Sequence, residues 1–109
     1  LWWVAWELGR GSEQHGRRPA LIVQANEANE IEHYALTIVV AVSTKGHEGN
    51  PLHVPIRASS ANGLDRDSFV RCEQIMTIDR SRLDGLIGTL EHRQIVEVNR
   101  SLQAALGLA

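Results

Sequence analysis

The chain has one cysteine, Cys72, in 109 residues. An intrachain disulfide is therefore excluded, and a reducing, cytoplasmic compartment fits. No apolar run approaches the ~20 residues of a membrane helix, and no signal-peptide pattern opens the chain. The net charge of −2 excludes a global polycation, so any hold on nucleic acid must come from a local cluster of arginines. The histidines, His15, His33, His47, His53 and His92, show no H-x-x-x-H or Cys/His spacing, and no acidic cluster stands at ligand distance. No metal or other cofactor is expected on that pattern. Gly-rich phosphate loops and the G-x-S-x-G turn are also missing. Aromatics are scarce, and the tryptophans Trp2, Trp3 and Trp6 crowd the start, where core or subunit-surface packing is a better reading than a base-stacking platform.

What is present suits one folded domain over residues 1–109, since hydrophobic residues make up 43% and charged residues only 22%. A domain this small buries only about two-thirds of the surface of its unfolded chain, so pairing with a second copy would help it. The chain opens at Leu1 inside an apolar, strand-like segment, which points to residues missing before it. Strands are expected at Leu1–Leu8, Arg18–Gln24, Ala35–Ser43, His53–Arg57, Asp67–Ile78 and Leu86–Leu90. Ala35–Ser43 is β-branched and almost wholly apolar, the pattern of a central strand buried on both faces. Pro55 places its strand at an edge, because proline cannot donate to the ladder. Asn62-Gly63 marks a turn, and Asp79 is placed to cap one helical turn. From Glu91 to Leu106 the period changes. Ile95, Val98, Leu102, Ala105 and Leu106 fall at spacings of three and four, the stripe of an amphipathic helix, with Gly107 placed to end it. The expected class is mainly β with a C-terminal helix (α+β), a small β-barrel against which the helix packs.

Two stretches carry chemistry. In Gly11-Ser12-Glu13-Gln14-His15-Gly16-Arg17-Arg18-Pro19 a loop with an acid, a histidine and two arginines runs into the apolar Leu21-Ile22-Val23. Loops held by rigid strands are common site positions, and Arg offers a planar fork of donors to phosphate oxygens. The bland alternative is a solvated strand start. In the second stretch Arg71 and Glu73 are two apart, so a strand turns both to one face. Either they form a structural ion pair, or a base stands beside a phosphate-stabilising cation. Ser43 and Thr44 lie where the central strand ends; their hydroxyls either cap that end or bind phosphate.

Several motifs in order resemble the MazF/PemK/Kid family, the toxin half of type II toxin–antitoxin modules, nearly end to end. Trp2 to Leu8 is similar to the family's first strand. Gly11-Ser12-Glu13-Gln14, Gly16 and Arg18-Pro19-Ala20-Leu21-Ile22-Val23 resemble G-[SH]-E-Q-x-G-x-R-P-x-L-[VI]-[VI]. Asp67-Ser68, Glu73-Gln74-Ile75 and Thr77-Ile78-Asp79 resemble the second block, D-S-V-[VI]-x-x-[DE]-Q-I-R-T-I-D. Met76 departs from the family's usual Arg in that block, and the Arg-Gly-Asp/Glu that normally precedes the first strand is absent.

The resemblance implies a small SH3-like β-barrel of the CcdB/PemK type and a homodimer. It implies a sequence-specific, metal-independent endoribonuclease on single-stranded RNA, leaving 2′,3′-cyclic phosphate and 5′-hydroxyl ends. The implied partner is a cognate MazE/PemI-like antitoxin whose C-terminal segment covers the RNA groove. The implied catalytic set is Arg18 and Ser43, from one branch, and Arg71 and Glu73, from the other; the contributing histidine of that second branch is replaced by Ser12. Arg10, His15, Arg17, Thr44, Arg66 and Gln74 are the expected RNA contacts. Arg18 suits charge stabilisation and not proton removal, because its pKa exceeds ~12. Glu73 is the expected base, on the condition that partial burial raises its pKa. A gyrase poison of the CcdB type and a non-catalytic binding barrel are the competing readings, since fold alone does not fix function.

Overall fold

The computed structural model describes residues 1–5, 17–24 and 34–108. Among these, six strands form one antiparallel sheet: β1 (Trp2–Ala5), β2 (Arg17–Ile22), β3 (Leu36–Ser43), β4 (His53–Ile56), β5 (Ser68–Asp79) and β6 (Leu83–Leu86), followed by helix α1 (His92–Leu106). The spatial order is β4-β5-β3-β2-β1-β6. The apolar β3 is central, and its neighbouring valines serve opposite faces. Val40 and Val42 join Val54, Ile56, Val70, Leu90 and Val98 in one core cluster. Val39 joins Val4, Ala20 and Ile78 in a second, on the other face. Each fully buried valine contributes ~1.5–3 kcal/mol of transfer free energy, so both sides of the sheet are anchored. As its proline requires, β4 is an edge strand with Pro55 exposed. The expected strand over Leu1–Leu8 is described to Ala5; the rest of it lies outside the described residues.

Three expectations need correcting. The barrel is not closed, because β4 and β6, the ends of the strand order, do not pair among the described residues. The sheet nevertheless curls far enough for Leu1 to share a core with Val54 and Ile56. The closing strand expected at Leu86–Leu90 is also absent. β6 ends at Leu86, and the next segment divides its hydrogen bonds between two neighbours. Ile87 donates to Leu1 O (2.9 Å), whereas Thr89 donates to Ala61 O (3.1 Å). A backbone bonded alternately to two separate segments cannot run as a ladder with either.

The third correction concerns α1. Its expected ends hold: the Gln94 side chain accepts the Glu91 N–H (2.8 Å), and Gly107 adopts φ 70°, a left-handed conformation that favours glycine. Of the expected stripe, however, Ile95 and Leu106 are exposed. The buried positions are Val98 and Ser101. Ser101 takes a core place because its hydroxyl donates to Pro51 O at 2.7 Å, which removes the penalty of burying it unpaired. At the other end of β5, Asp79 caps a 3₁₀ turn (Arg80–Arg82) by accepting the Ser81 N–H at 2.9 Å. Among the described residues no helix is long and apolar enough to cross a membrane.

Candidate active site

One rung of the sheet runs unbroken through every strand. His53 pairs with Arg71, Arg71 with Ala41, Ala41 with Ala20, Ala20 with Trp2, and Trp2 with Leu86. Residues opposite one another in an antiparallel ladder share a face, so this rung puts a cation beside two small residues. The result is a groove of about 420 Å³ lined by Arg18, Pro19, Ala41, Val42, Ser43, Lys45, Arg71, Gln74 and Met76. The period of two explains who joins it. Arg18 stands two residues before Ala20 and Ser43 two after Ala41, so both share the face of Ala41.

β5 reaches the groove only through an irregularity. Val40 pairs with Ile75, but the next residue of β3, Ala41, pairs with Arg71. Cys72, Glu73 and Gln74 are thus extra on the β5 side, a multi-residue bulge of the kind that re-aims side chains. Within it, Cys72 is fully buried, burial pushes its thiol pKa up, and its N–H donates to Leu52 O (2.8 Å). Gln74 lines the groove. The bulge also changes which residues face the groove: Met76, opposite Val39, and Arg71, opposite Ala41, share one face although they differ in parity.

Arg71 and Glu73 do meet, with Nη2 donating to Oε2 at 3.3 Å. The same oxygen lies 3.0 Å from His53 Nε2. Arg71 Nε is buried and has no acceptor among the described residues, an arrangement that costs about 1–3 kcal/mol. Burial alone would raise the Glu73 pKa. The His53 hydrogen bond, a backbone hydrogen bond and the charge of Arg71 outweigh it, so the carboxyl is held below its ordinary value. The condition attached to Glu73 as a base is therefore not met. Ser43 Oγ accepts the Lys45 N–H at 3.0 Å, so it caps the strand end while lining the groove.

The remaining expected contacts separate. Thr44 and Arg66 lie together in an adjoining groove of about 240 Å³, and Pro19 borders both grooves. Arg17 points the other way from Arg18. Its Nε lies 3.1 Å from Asp84 Oδ2, its Nη2 donates to Asp84 O at 2.9 Å, and its guanidinium sits 4.9 Å from the centre of the Trp3 ring. Arg10 and His15 lie outside the described residues. Sequence reasoning assigned no role to Lys45 or His53, because the registers that bring them to the site are fixed by tertiary pairing. Among the described residues no three His, Cys, Asp or Glu side chains converge as metal ligands.

Comparison with known proteins agrees with this architecture. The family described as PemK-like, MazF-like toxin of type II toxin–antitoxin system matches residues 1–106. Endoribonuclease MazF of Staphylococcus epidermidis is 38% identical over 101 residues, covering 91% of this chain and 81% of that protein. Endoribonuclease EndoA of Bacillus subtilis (strain 168) is 38% identical over 99 residues, covering 90% and 83%. A mycobacterial endoribonuclease solved in complex with its cognate antitoxin superposes with a TM-score of 0.77 at 25% identity, over 99% of this chain and 91% of that one. With a family match spanning nearly every residue and the R-P arginine lining a groove of the shared fold, the chain belongs to the PemK-like, MazF-like toxins of type II toxin–antitoxin systems.

Proposed function

We propose that this toxin is an endoribonuclease whose groove of Arg18, Ser43, Arg71 and Gln74 holds the scissile phosphate of single-stranded RNA. The observation that carries this reading is the convergence of two arginines and a hydroxyl on one face, beside the apolar surfaces of Ala41 and Met76. Cations and hydroxyls suit the phosphate, and apolar walls suit an unstacked base.

In the reaction the ribose 2′-oxygen attacks its own adjacent phosphorus. The O2′–P bond forms and the P–O5′ bond breaks. One proton leaves the 2′-hydroxyl and one reaches the departing 5′-oxygen, leaving 2′,3′-cyclic phosphate and 5′-hydroxyl ends. The protein must align the attack and stabilise the charge that builds on the phosphoryl oxygens. Arg18 and Arg71 clamp those oxygens, and Ser43 orients the phosphate. Glu73, ionised at neutral pH, acts chiefly by orienting Arg71 through its 3.3 Å hydrogen bond. No step calls for a metal.

Thr44 and Arg66, in the adjoining groove, extend the path for RNA beyond the cleaved bond. Arg10 and His15, outside the described residues, are further candidate RNA contacts, whereas Arg17 is held against Asp84 and Trp3 and lends no contact to the groove. Residues 1–109 form a single toxin domain. Exposed apolar side chains at Leu86, Ile95, Val96 and Leu106 support pairing as a homodimer. The partner is a cognate MazE/PemI-like antitoxin whose C-terminal segment occupies the RNA groove, and the compartment is the cytoplasm.

The test is incubation of the purified protein with a long single-stranded RNA in EDTA, followed by mapping of both new ends. Defined cuts with cyclic phosphate and 5′-hydroxyl ends are expected. Intact RNA together with loss of gyrase supercoiling would overturn the reading.

A further inference from the structure

His53 opens β4 and is 6% exposed, yet both of its ring nitrogens are engaged. Nδ1 accepts the backbone N–H of His47 at 3.1 Å. Nε2 lies 3.0 Å from Glu73 Oε2. Because Nδ1 is an acceptor, the ring proton is on Nε2 and is donated to the carboxylate. The ring is wedged between that of His47, stacked at 6.1 Å, and that of Phe69, tilted at 6.2 Å. Phe69 also closes on the loop, since a Cβ at Gly46 would meet its ring at 2.5 Å. One nitrogen therefore reads the loop over residues 44–52, and the other reads the Arg71–Glu73 pair.

The two connections lead to two neighbouring parts of the groove lining. The loop side begins with Ser43 and Lys45, which are tied to each other by the Lys45 N–H to Ser43 Oγ bond. The β5 side presents Arg71, whose Nη2 is held by the oxygen that His53 also contacts.

We propose that His53 is the positioning residue of this site, setting Arg71 through Glu73 and the Ser43–Lys45 wall through His47. It touches neither RNA nor the reacting atoms. Its arms make separable contributions: the Nε2 arm governs how well the transition state is held, and the Nδ1 arm governs how RNA seats along the loop. The inference rests on the ribonuclease reading above.

Two substitutions divide the arms. In His53→Asn the amide oxygen can still accept from His47, but the side chain is too short to donate to Glu73. In His53→Gln the longer amide can donate to Glu73 and loses the loop contact. On a defined RNA, His53→Asn is expected to lower kcat on the order of 10²-fold, the effect of a displacement of about 1 Å in a catalytic group, with KM nearly unchanged. His53→Gln is expected to keep kcat within a few-fold while KM rises and cut-site preference broadens. Glu73→Gln combined with His53→Asn is expected to lose no more than the worse single variant, because both act through one chain of contacts. Wild-type kcat in a folded His53→Asn variant overturns the proposal, as do equal falls in kcat and equal rises in KM in both variants accompanied by equal losses of stability. If a variant does not fold, ¹H–¹⁵N spectra of the wild-type imidazole decide: a bare Nδ1 supports the proposal, and a protonated Nδ1 overturns it. Wild-type protein that leaves RNA intact overturns the ribonuclease reading itself, whereas active wild type with fully active His53→Asn overturns only the role of His53.

Discussion

Arg17 and Arg18 are neighbours in sequence and strangers in space. Arg17 lies against Asp84 and Trp3 at the β1–β6 side of the sheet, whereas Arg18 lines the groove with Ser43 and Arg71. The period of two in β2 sends identical side chains to opposite faces. One becomes part of the scaffold and the other part of the site. Residue type therefore says little here, and face says nearly everything.

Arg18→Ala gives the sharpest test of that division. It is expected to lower single-turnover RNA cleavage on the order of 10²–10³-fold, the scale of losing a transition-state donor, with circular dichroism and Tm close to wild type. Arg71→Lys keeps the charge but loses the planar fork, and a loss of about 10-fold in kcat is expected from the same assay. If Lys matches Arg, the Glu73 hydrogen bond does not orient a fork at this wall. Met76→Arg adds a cation to the groove side of the comparison, because Met76 faces the groove. Filter binding across a salt series is expected to show the slope of log affinity against log salt steepened by about 0.7, the value for one added contact to a single strand. An unchanged slope would place position 76 off the RNA path. Arg17→Ala gives the smallest change, with cleavage within about threefold of wild type. Thermal unfolding is expected to show a stability loss of no more than ~1 kcal/mol, since its ion pair is half-exposed and its contact with Trp3 adds a modest cation–π term. A collapse of cleavage in Arg17→Ala would erase the distinction.

Glu73 provides a pH test on the groove side. Its folded pKa is depressed, so between the folded and unfolded values the unfolded chain binds more protons and stability rises with pH. That contribution is present above the unfolded value and is lost as pH falls through the folded value. Denaturant titrations of wild type and Glu73→Gln in the acid range are expected to converge as pH drops. Above pH 6 the carboxylate stays ionised, so cleavage rates are expected to show no inflection from Glu73. An inflection between pH 6 and 9 that vanishes in Glu73→Gln would restore it as a base.

The elements were legible wherever local pattern and tertiary role coincide. The valines of β3 announced a strand buried on both faces, Pro55 announced an edge, and Asp79 and Gly107 marked their turns. The groove arginines were legible as residues and as motifs. That Met76 shares the groove with Arg71 was not, because the bulge at Cys72–Gln74 reverses the alternation within β5 and no local signal announces where a ladder slips. Ser101 was skipped because its partner, Pro51 O, is supplied by a distant loop. His53 was invisible for the same reason: its importance comes from pairing with Arg71 across a register that only the folded sheet defines. The Leu86–Leu90 segment misled because, beyond Leu86, its backbone divides its hydrogen bonds between two neighbours instead of forming one ladder.

The unbroken rung from His53 to Leu86 also bears on how such a toxin diverges. Along this rung Arg71 brings charge to the groove, whereas Ala41 on the next strand brings only a methyl. Ala20, one strand further, is fully buried and fixed by its core, but Ala41 is only half-buried and faces open space. Exchanging that single methyl for a larger side chain would change the depth of the groove proposed to take RNA while leaving Arg71 and its hydrogen bond to Glu73 on a different strand. On the proposed reading, groove depth and phosphate contact can thus drift independently, separated by the width of one strand.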